Sequence, residues 1–253
     1  MRNPDAHLPD DVREAIDRAF PEGVVEMAFD SDESYFWDVH PELQAAIGRL
    51  KRARLVHERQ PDGGPIWFDG SDPEEDPPDD DVRSRSYHLF FVCPEGEAFT
   101  YECEIQSLAE PECEEDWNQD EMPMETVAGS GQTGWSVAVS LLAPFAVITL
   151  GDMDTFEDGS ISEPSIESHG LTEAGQRIDE EAEFRKSKGE QAFEILLKLR
   201  GRIAGILSQS GISVLPEEEW RKPVPWLRAD EEVLVGAMDE SIRVLDALFF
   251  EGL

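Results

Sequence analysis

Apolar residues recur along this chain with two different periods, and the change of period marks its segments. From Asp10 to Phe20, Val12, Ala15, Ile16, Ala19 and Phe20 fall on one stripe at helical spacing, and Asp10 stands where a helix cap belongs. Pro41 to Arg54 reads as a second helix, with proline in its first turn and Leu43, Ala46, Ile47 and Leu50 on one side. The period then shortens. YHLFFVC, Tyr87 to Cys93, and AFTYECEI, Ala98 to Ile105, read as two strands of a hairpin turning at Pro94–Glu97. In the second strand Phe99, Tyr101 and Cys103 alternate with Thr100, Glu102 and Glu104, which gives an apolar and an acidic face.

WSVAVSLLAPFAVITL, Trp135 to Leu150, is the most apolar run and suits one or two buried strands with Pro144 at a bend. At sixteen residues and interrupted by proline, it is too short for a membrane helix. Gly151 to Ser168 reads as irregular and turn-rich. Gln191 to Ser208 is a helix whose stripe is Phe193, Leu196, Leu197, Ile203, Ala204 and Leu207, closed by Gly211 in the left-handed conformation. Ile212–Leu215 is a short strand, and Asp230–Phe250 is a last helix with Leu234, Ala237, Met238, Ile242, Leu245 and Phe249 inward. Helices from the N-terminal and C-terminal segments around a mostly antiparallel central sheet make an α+β class, and the pattern predicts one domain over residues 1–253.

Charge changes this picture. The chain carries 57 acidic and 21 basic residues, a formal net charge of −36. Between Gln60 and Gln176 there are 28 acidic residues against Arg83 and Arg85. Such a field repels nucleic acid and anionic lipid and attracts basic partners. Two stretches within it, about 61–82 and 109–134, read as acidic loops. Asp69–Asp81 has eight acids and three prolines in thirteen residues and cannot bury enough apolar surface to order alone. Trp67 lies beside the first acid run and Trp117 within the second.

Motifs for chemistry are sparse. GSGQTG, Gly129–Gly134, has the spacing of a dinucleotide fingerprint, but a strand-forming segment follows it and the charge around it repels phosphate, so it reads as a flexible connector. GDMDTFEDG offers Asp152, Asp154, Glu157 and Asp158 as oxygen ligands; an EF-hand register fails at Phe156 and Glu157, so a solvated turn is favoured over a divalent site. His7, His40, His57, His88 and His169 lie in no catalytic string, and Cys93, next to Phe91 and Val92, reads as a buried inert thiol. Three cysteines with no C-x-x-C pair suggest a reducing compartment, and no signal core precedes residue 20. The basic residues around Leu50–Arg54 suit a helix C-terminus and internal ion pairing better than nucleic acid. No catalytic, cofactor or metal residues are assigned.

Three blocks of the second half, GWSVAVSLLAPFAVITL, GISVLPEEEWRKPVPWL and DALFFEGL, resemble bacterial immunity proteins of polymorphic toxin systems. The resemblance implies a cytoplasmic, non-enzymatic protein that binds and neutralises a cognate toxin, including toxins that are nucleases. Charge supports the same class independently, because a nuclease cleft is basic. The expected partner-binding residues are Trp67, Asp79, Asp80, Asp81, Glu114, Glu115, Asp116 and Trp117. Two other classes stay open: an acidic DNA mimic or regulator acting on a host DNA-binding enzyme, and an enzyme with a dispersed carboxylate site.

Overall fold

One strand organises the sheet. In the computed structural model, which describes residues 8–25, 34–59, 85–108, 124–157, 159–162, 166, 179–229, 233–234, 242–249 and 251–252, β5 runs from Met124 to Ser140. Its downstream half pairs antiparallel with β3, Tyr87–Pro94, from Trp135↔Val92 to Ser140↔Tyr87. Its upstream half pairs antiparallel with β4, Thr100–Leu108, from Gln132↔Thr100 to Met124↔Leu108. Its other side carries β6, Phe145–Phe156. β2, Ala53–Arg59, extends the sheet beyond β3. β7, Ile161–Ser162, and β8, Ser213–Val214, both pair with β6, the latter in parallel. The result is a seven-stranded, mostly antiparallel sheet.

β3 and β4 are therefore not a hairpin. Both run antiparallel to β5, so they run in the same direction and lie end to end along its flank. Between them Gly96 takes φ 130°, a 3₁₀ turn covers Glu97–Phe99, and Phe99 returns to the core, its ring stacked 6.1 Å from Phe184. Turn residues at Pro94–Glu97 make a local excursion here instead of a reversal.

Helices cover both faces of the apolar half of the sheet. On one side Phe90, Val92, Trp135, Val137, Ile148 and Leu150 join the cluster that contains α2 (Phe36–Gly48), α3 (Glu180–Lys188) and α4 (Glu190–Gln209). On the other, Tyr87, Leu89, Ala138, Phe145 and Val147 join α1 (Asp10–Ala19), α5 (Glu217–Trp220) and α6 (Val244–Leu248). Neighbours such as Leu89 and Phe90, Val137 and Ala138, or Ala146 and Val147 thus enter different clusters, and β3, buried at every position, reads as an unbroken apolar run. Trp135 Nε1 donates to Leu196 O at 2.8 Å and pins β5 to α4. Tyr35 Oη lies 2.8 Å from the carbonyl oxygens of both Ser140 and Ala143, its one O–H shared between them, and fixes the start of α2 at the β5–β6 turn. Two-residue pairs, β1 (Val24–Val25) with β9 (Arg228–Ala229) and β10 (Val233–Leu234) with β11 (Glu251–Gly252), stand apart from the main sheet.

Several boundaries differ from the sequence pattern. α1 has Pro9 as its N-cap, and Asp10 is its first residue with no side-chain cap bond. α2 begins at Phe36, so Pro41 sits inside it, and it stops at Gly48; Arg52, at φ 59°, reverses the chain and Ala53 opens a strand. α4 ends as expected: Gly211 has φ 77° and Ile212 N donates to Leu207 O at 2.9 Å. Of the last expected helix, Val244–Leu248 is helical, with Ile242, Leu245 and Phe249 buried; Leu234 lies in β10, and Ala237 and Met238 lie outside the described residues.

The glycine-rich run is a strand interior, not a connector, so the acidic segment expected over 109–134 gives way to β5 from Met124 onward. Its glycines are where other side chains lie across the sheet. A Cβ on Gly129 would stand 2.5 Å from the Phe156 ring, and one on Gly131 would overlap the Tyr101 ring and the Asp154 carboxylate. Tyr101 is held there by its hydroxyl, which donates to Asp154 Oδ1 at 2.7 Å. Gly131→Ala is expected to cost about 1–3 kcal/mol in urea unfolding. Gly201→Ala, in an open position of α4 with nothing within 4 Å of its added carbon, is expected to gain up to about 1 kcal/mol. Equal effects at the two sites would remove the steric account.

Candidate functional site

Two places bring polar chemistry together. The first is the outer edge of β6. β8 pairs with it only at Phe145–Ala146 and β7 only at Asp154–Thr155. Among the described residues no strand covers the stretch between. Ala146 O accepts from Leu215 N at 2.8 Å and Phe156 N donates to Ser160 O at 2.9 Å, so even-numbered residues turn their backbone groups outward along this edge. Ile148 and Leu150 share that parity. β8 ends at Val214, and Pro216 is the N-cap at which the chain turns into α5.

A cleft of about 540 Å³ lies against this edge, walled by α3 and α4 on one side and α5 on the other. Its rim carries Asp179, Glu180, Glu181, Glu217 and Glu218, together with Arg200. Arg200 pairs with Glu181 at 3.6 Å, and Arg221 pairs with Glu217 at 2.7 Å. Five carboxylates against these two guanidinium groups leave the rim negative. The β4–β5–β6 extension adds a second open acidic surface of about 860 Å³, where Glu102, Glu104 and Glu157 are exposed around Ser130 and Thr155.

The second place is a cluster of two imidazoles and a carboxylate at the opposite side of the sheet. His40 comes from α2, Glu58 from β2 and His88 from β3. Both Nε2 atoms meet the same oxygen, Glu58 Oε1, at 2.6 Å for His40 and 2.9 Å for His88. Gln44 Nε2 donates to the other oxygen at 2.5 Å. Phe36 and Phe90 pack on the His88 ring with centroids 4.9 and 4.6 Å away, and Trp37 stands edge-on at 6.2 Å. His88 is wholly buried, and its Nδ1 has no hydrogen-bond partner among the described residues. Burial drives the His88 pKa down to about 4 against the attraction of Glu58. Burial alone would raise Glu58, but hydrogen bonds from His40, Gln44 and His88 outweigh it and hold the carboxyl below its usual range. An ionised carboxylate only accepts, so both Nε2 atoms carry the proton.

The sequence-based candidates fare differently. Trp67, Asp79, Asp80, Asp81, Glu114, Glu115, Asp116 and Trp117 lie outside the described residues. Asp152 and Asp154 are in strand β6, not in a turn. Asp152 Oδ1 accepts from the Thr133 hydroxyl at 2.5 Å, and burial holds its carboxyl above the usual range. Cys93 is buried, its thiol donates to Thr133 O at 3.1 Å, and burial pushes its pKa up to about 11, in keeping with an inert thiol. The histidine cluster escaped the sequence because its members stand 18 and 30 positions from Glu58 and Glu58 falls on a strand whose beginning reads as a helix end. No helix among the described residues is long and apolar enough to cross a membrane.

The His88 environment fixes a pH dependence for the metal-free protein. The unfolded chain takes up a proton near pH 6.5 and the folded one near 4, so stability is full above about 6.5 and falls as pH drops toward 4. Glu58, held low, adds a loss below its unfolded pKa in the same direction. Urea unfolding in chelator at pH 7 and pH 4.5 checks this. His88→Phe, which keeps an aromatic ring and removes the titration, is expected to flatten the slope; an unchanged slope would contradict the assignment.

No protein-family model, curated protein or solved structure matches this chain.

Proposed function

We propose that this protein binds and neutralises a basic protein partner, as an immunity protein neutralises its toxin, without chemistry of its own. The observation that carries the reading is the negative rim around the open β6 edge. An extended segment of a partner can add to a free strand edge through main-chain hydrogen bonds. Carboxylates on both walls favour one rich in lysine and arginine. Long-range attraction from a chain of net charge −36 speeds encounter, up to about 10⁸–10⁹ M⁻¹s⁻¹ at low salt. A nuclease toxin suits this surface because its own substrate cleft must be basic. The expected setting is the cytoplasm of the producing cell, with the toxin gene beside this one.

Co-expression with the neighbouring gene product is expected to rescue growth from its toxicity. The double variant Glu180→Lys/Glu218→Lys is expected to slow association by about tenfold and to flatten its salt dependence, with dissociation little changed. Stopped-flow binding over a series of salt concentrations reads both quantities. Association as fast and as salt-sensitive as in the unaltered chain would remove the rim from the reading. Failure of rescue together with binding to a host DNA-binding enzyme would favour the mimic class instead.

A further inference from the structure

The geometry points to a transition-metal site at His40, Glu58 and His88, independent of the partner-binding reading. Three ligand atoms, two imidazole nitrogens and one carboxylate oxygen, lie within 4.8 Å of one another. They come from a helix and two adjacent strands, so the backbone presents them without any one loop having to order. Both Nε2 atoms aim at one point, the Oε1 atom, from 2.6 and 2.9 Å. An ion bound at about 2.0–2.1 Å to each ligand brings the three atoms to about 3.4 Å from one another, so the two nitrogen–oxygen contacts open by several tenths of an ångström and the wider separation closes.

Around them the supporting contacts are already in place. Gln44 occupies Glu58 Oε2 and turns Oε1 inward. The rings of Phe36 and Phe90 fix the His88 plane, and Trp37 packs edge-on against His40 at 5.6 Å. The aromatic wall lowers the local dielectric, which strengthens an ion's attraction for the carboxylate. His40 and Glu58 retain 13% and 16% side-chain exposure, which gives a way in from solvent.

The donor set selects the ion. Two imidazoles with one carboxylate suit zinc, iron(II), cobalt(II) or nickel(II). Calcium and magnesium require oxygen donors and are poorly served. Three protein ligands leave a position for water or for a partner's side chain. When metal takes Nε2 the imidazole proton moves to Nδ1. His88 Nδ1 has no partner to receive it among the described residues, and a missing outer contact of that kind lowers affinity by about 10–100-fold. The site is therefore weaker than a structural zinc centre and fills according to supply.

The test is titration of the chelator-treated full-length protein with cobalt(II) and zinc(II) in excess calcium, which saturates the many surface carboxylates. The expected result is one cobalt per chain with intense visible d–d bands of a four- or five-coordinate ion, displaced by zinc. His40→Gln and Glu58→Gln, both at partly exposed positions, are expected to weaken binding by about tenfold or more, while Asp152→Asn leaves it unchanged. Circular dichroism confirms that each variant folds. If a variant does not fold, the unaltered chain still decides: cobalt must shift the proton resonances of two histidine rings. Absence of one-to-one binding in excess calcium, equal binding by folded His40→Gln, or no shifted histidine signals overturns the site. Growth rescue and partner kinetics do not enter this result, so the two proposals fail separately.

Discussion

The pairing of β5 with three strands at once is the constraint on which the rest of the molecule depends. At seventeen residues it is about three times the usual strand length. That length lets β3 and β4 sit end to end on one flank while β6 runs along the other. Its two halves solve different problems. Trp135–Ser140 is buried at every position and stands between two helical layers. Met124–Gly134 extends beyond those layers, and its glycines make room for the Tyr101 and Phe156 rings. Aromatic cover of strand glycines is a known way to restore packing where a side chain is missing.

Both functional features grow from the edges that this arrangement leaves. β6 is longer than β7 and β8 together, and among the described residues its outer side is paired at its ends and open between them. At the other edge, β2 lies against β3 and ends near the start of α2, which gathers His40, Glu58 and His88 into one aromatic-walled pocket. An open edge is a hazard because it templates unwanted pairing, and charge is one of the ways proteins suppress this. In the proposed reading the acidic rim does two things: it keeps identical, equally acidic chains apart and favours a basic strand in their place.

Much of the fold is legible in the sequence, and the failures have identifiable causes. α1 and α4 show a clean 3.6-residue stripe because each buries one face only. The buried strands read as continuous apolar runs because both their faces are covered. What fails is relation between segments. The alternation in Ala98–Ile105 marks a strand but does not say which strand it pairs with. GSGQTG resembles a loop because its covering rings come from Tyr101 and Phe156, in other strands. The second helix stops at Gly48, and the left-handed Arg52 that turns the chain into β2 is not announced by its identity. The terminal Asp230–Phe250 stripe has helical spacing, yet Leu234 lies in a strand, and among the described residues of this segment helix covers Val244–Leu248. Glu58 is hidden by the same misreading that placed Leu50–Arg54 at a helix end, so the metal-ligating set becomes visible only once β2 is in position.

Composition alone announced the acidity, but not where it acts. Of the described carboxylates, Asp179, Glu180, Glu181, Glu217 and Glu218 gather at the β6 edge and Glu102, Glu104 and Glu157 on the β4–β5–β6 face. Hydrogen–deuterium exchange of the protein with and without the proposed toxin partner locates the contact directly. The account expects slowed exchange at the Ile148 and Leu150 amides, with the α3 and α5 walls protected alongside. A complex that forms while those two amides exchange as fast as in the free protein would contradict it.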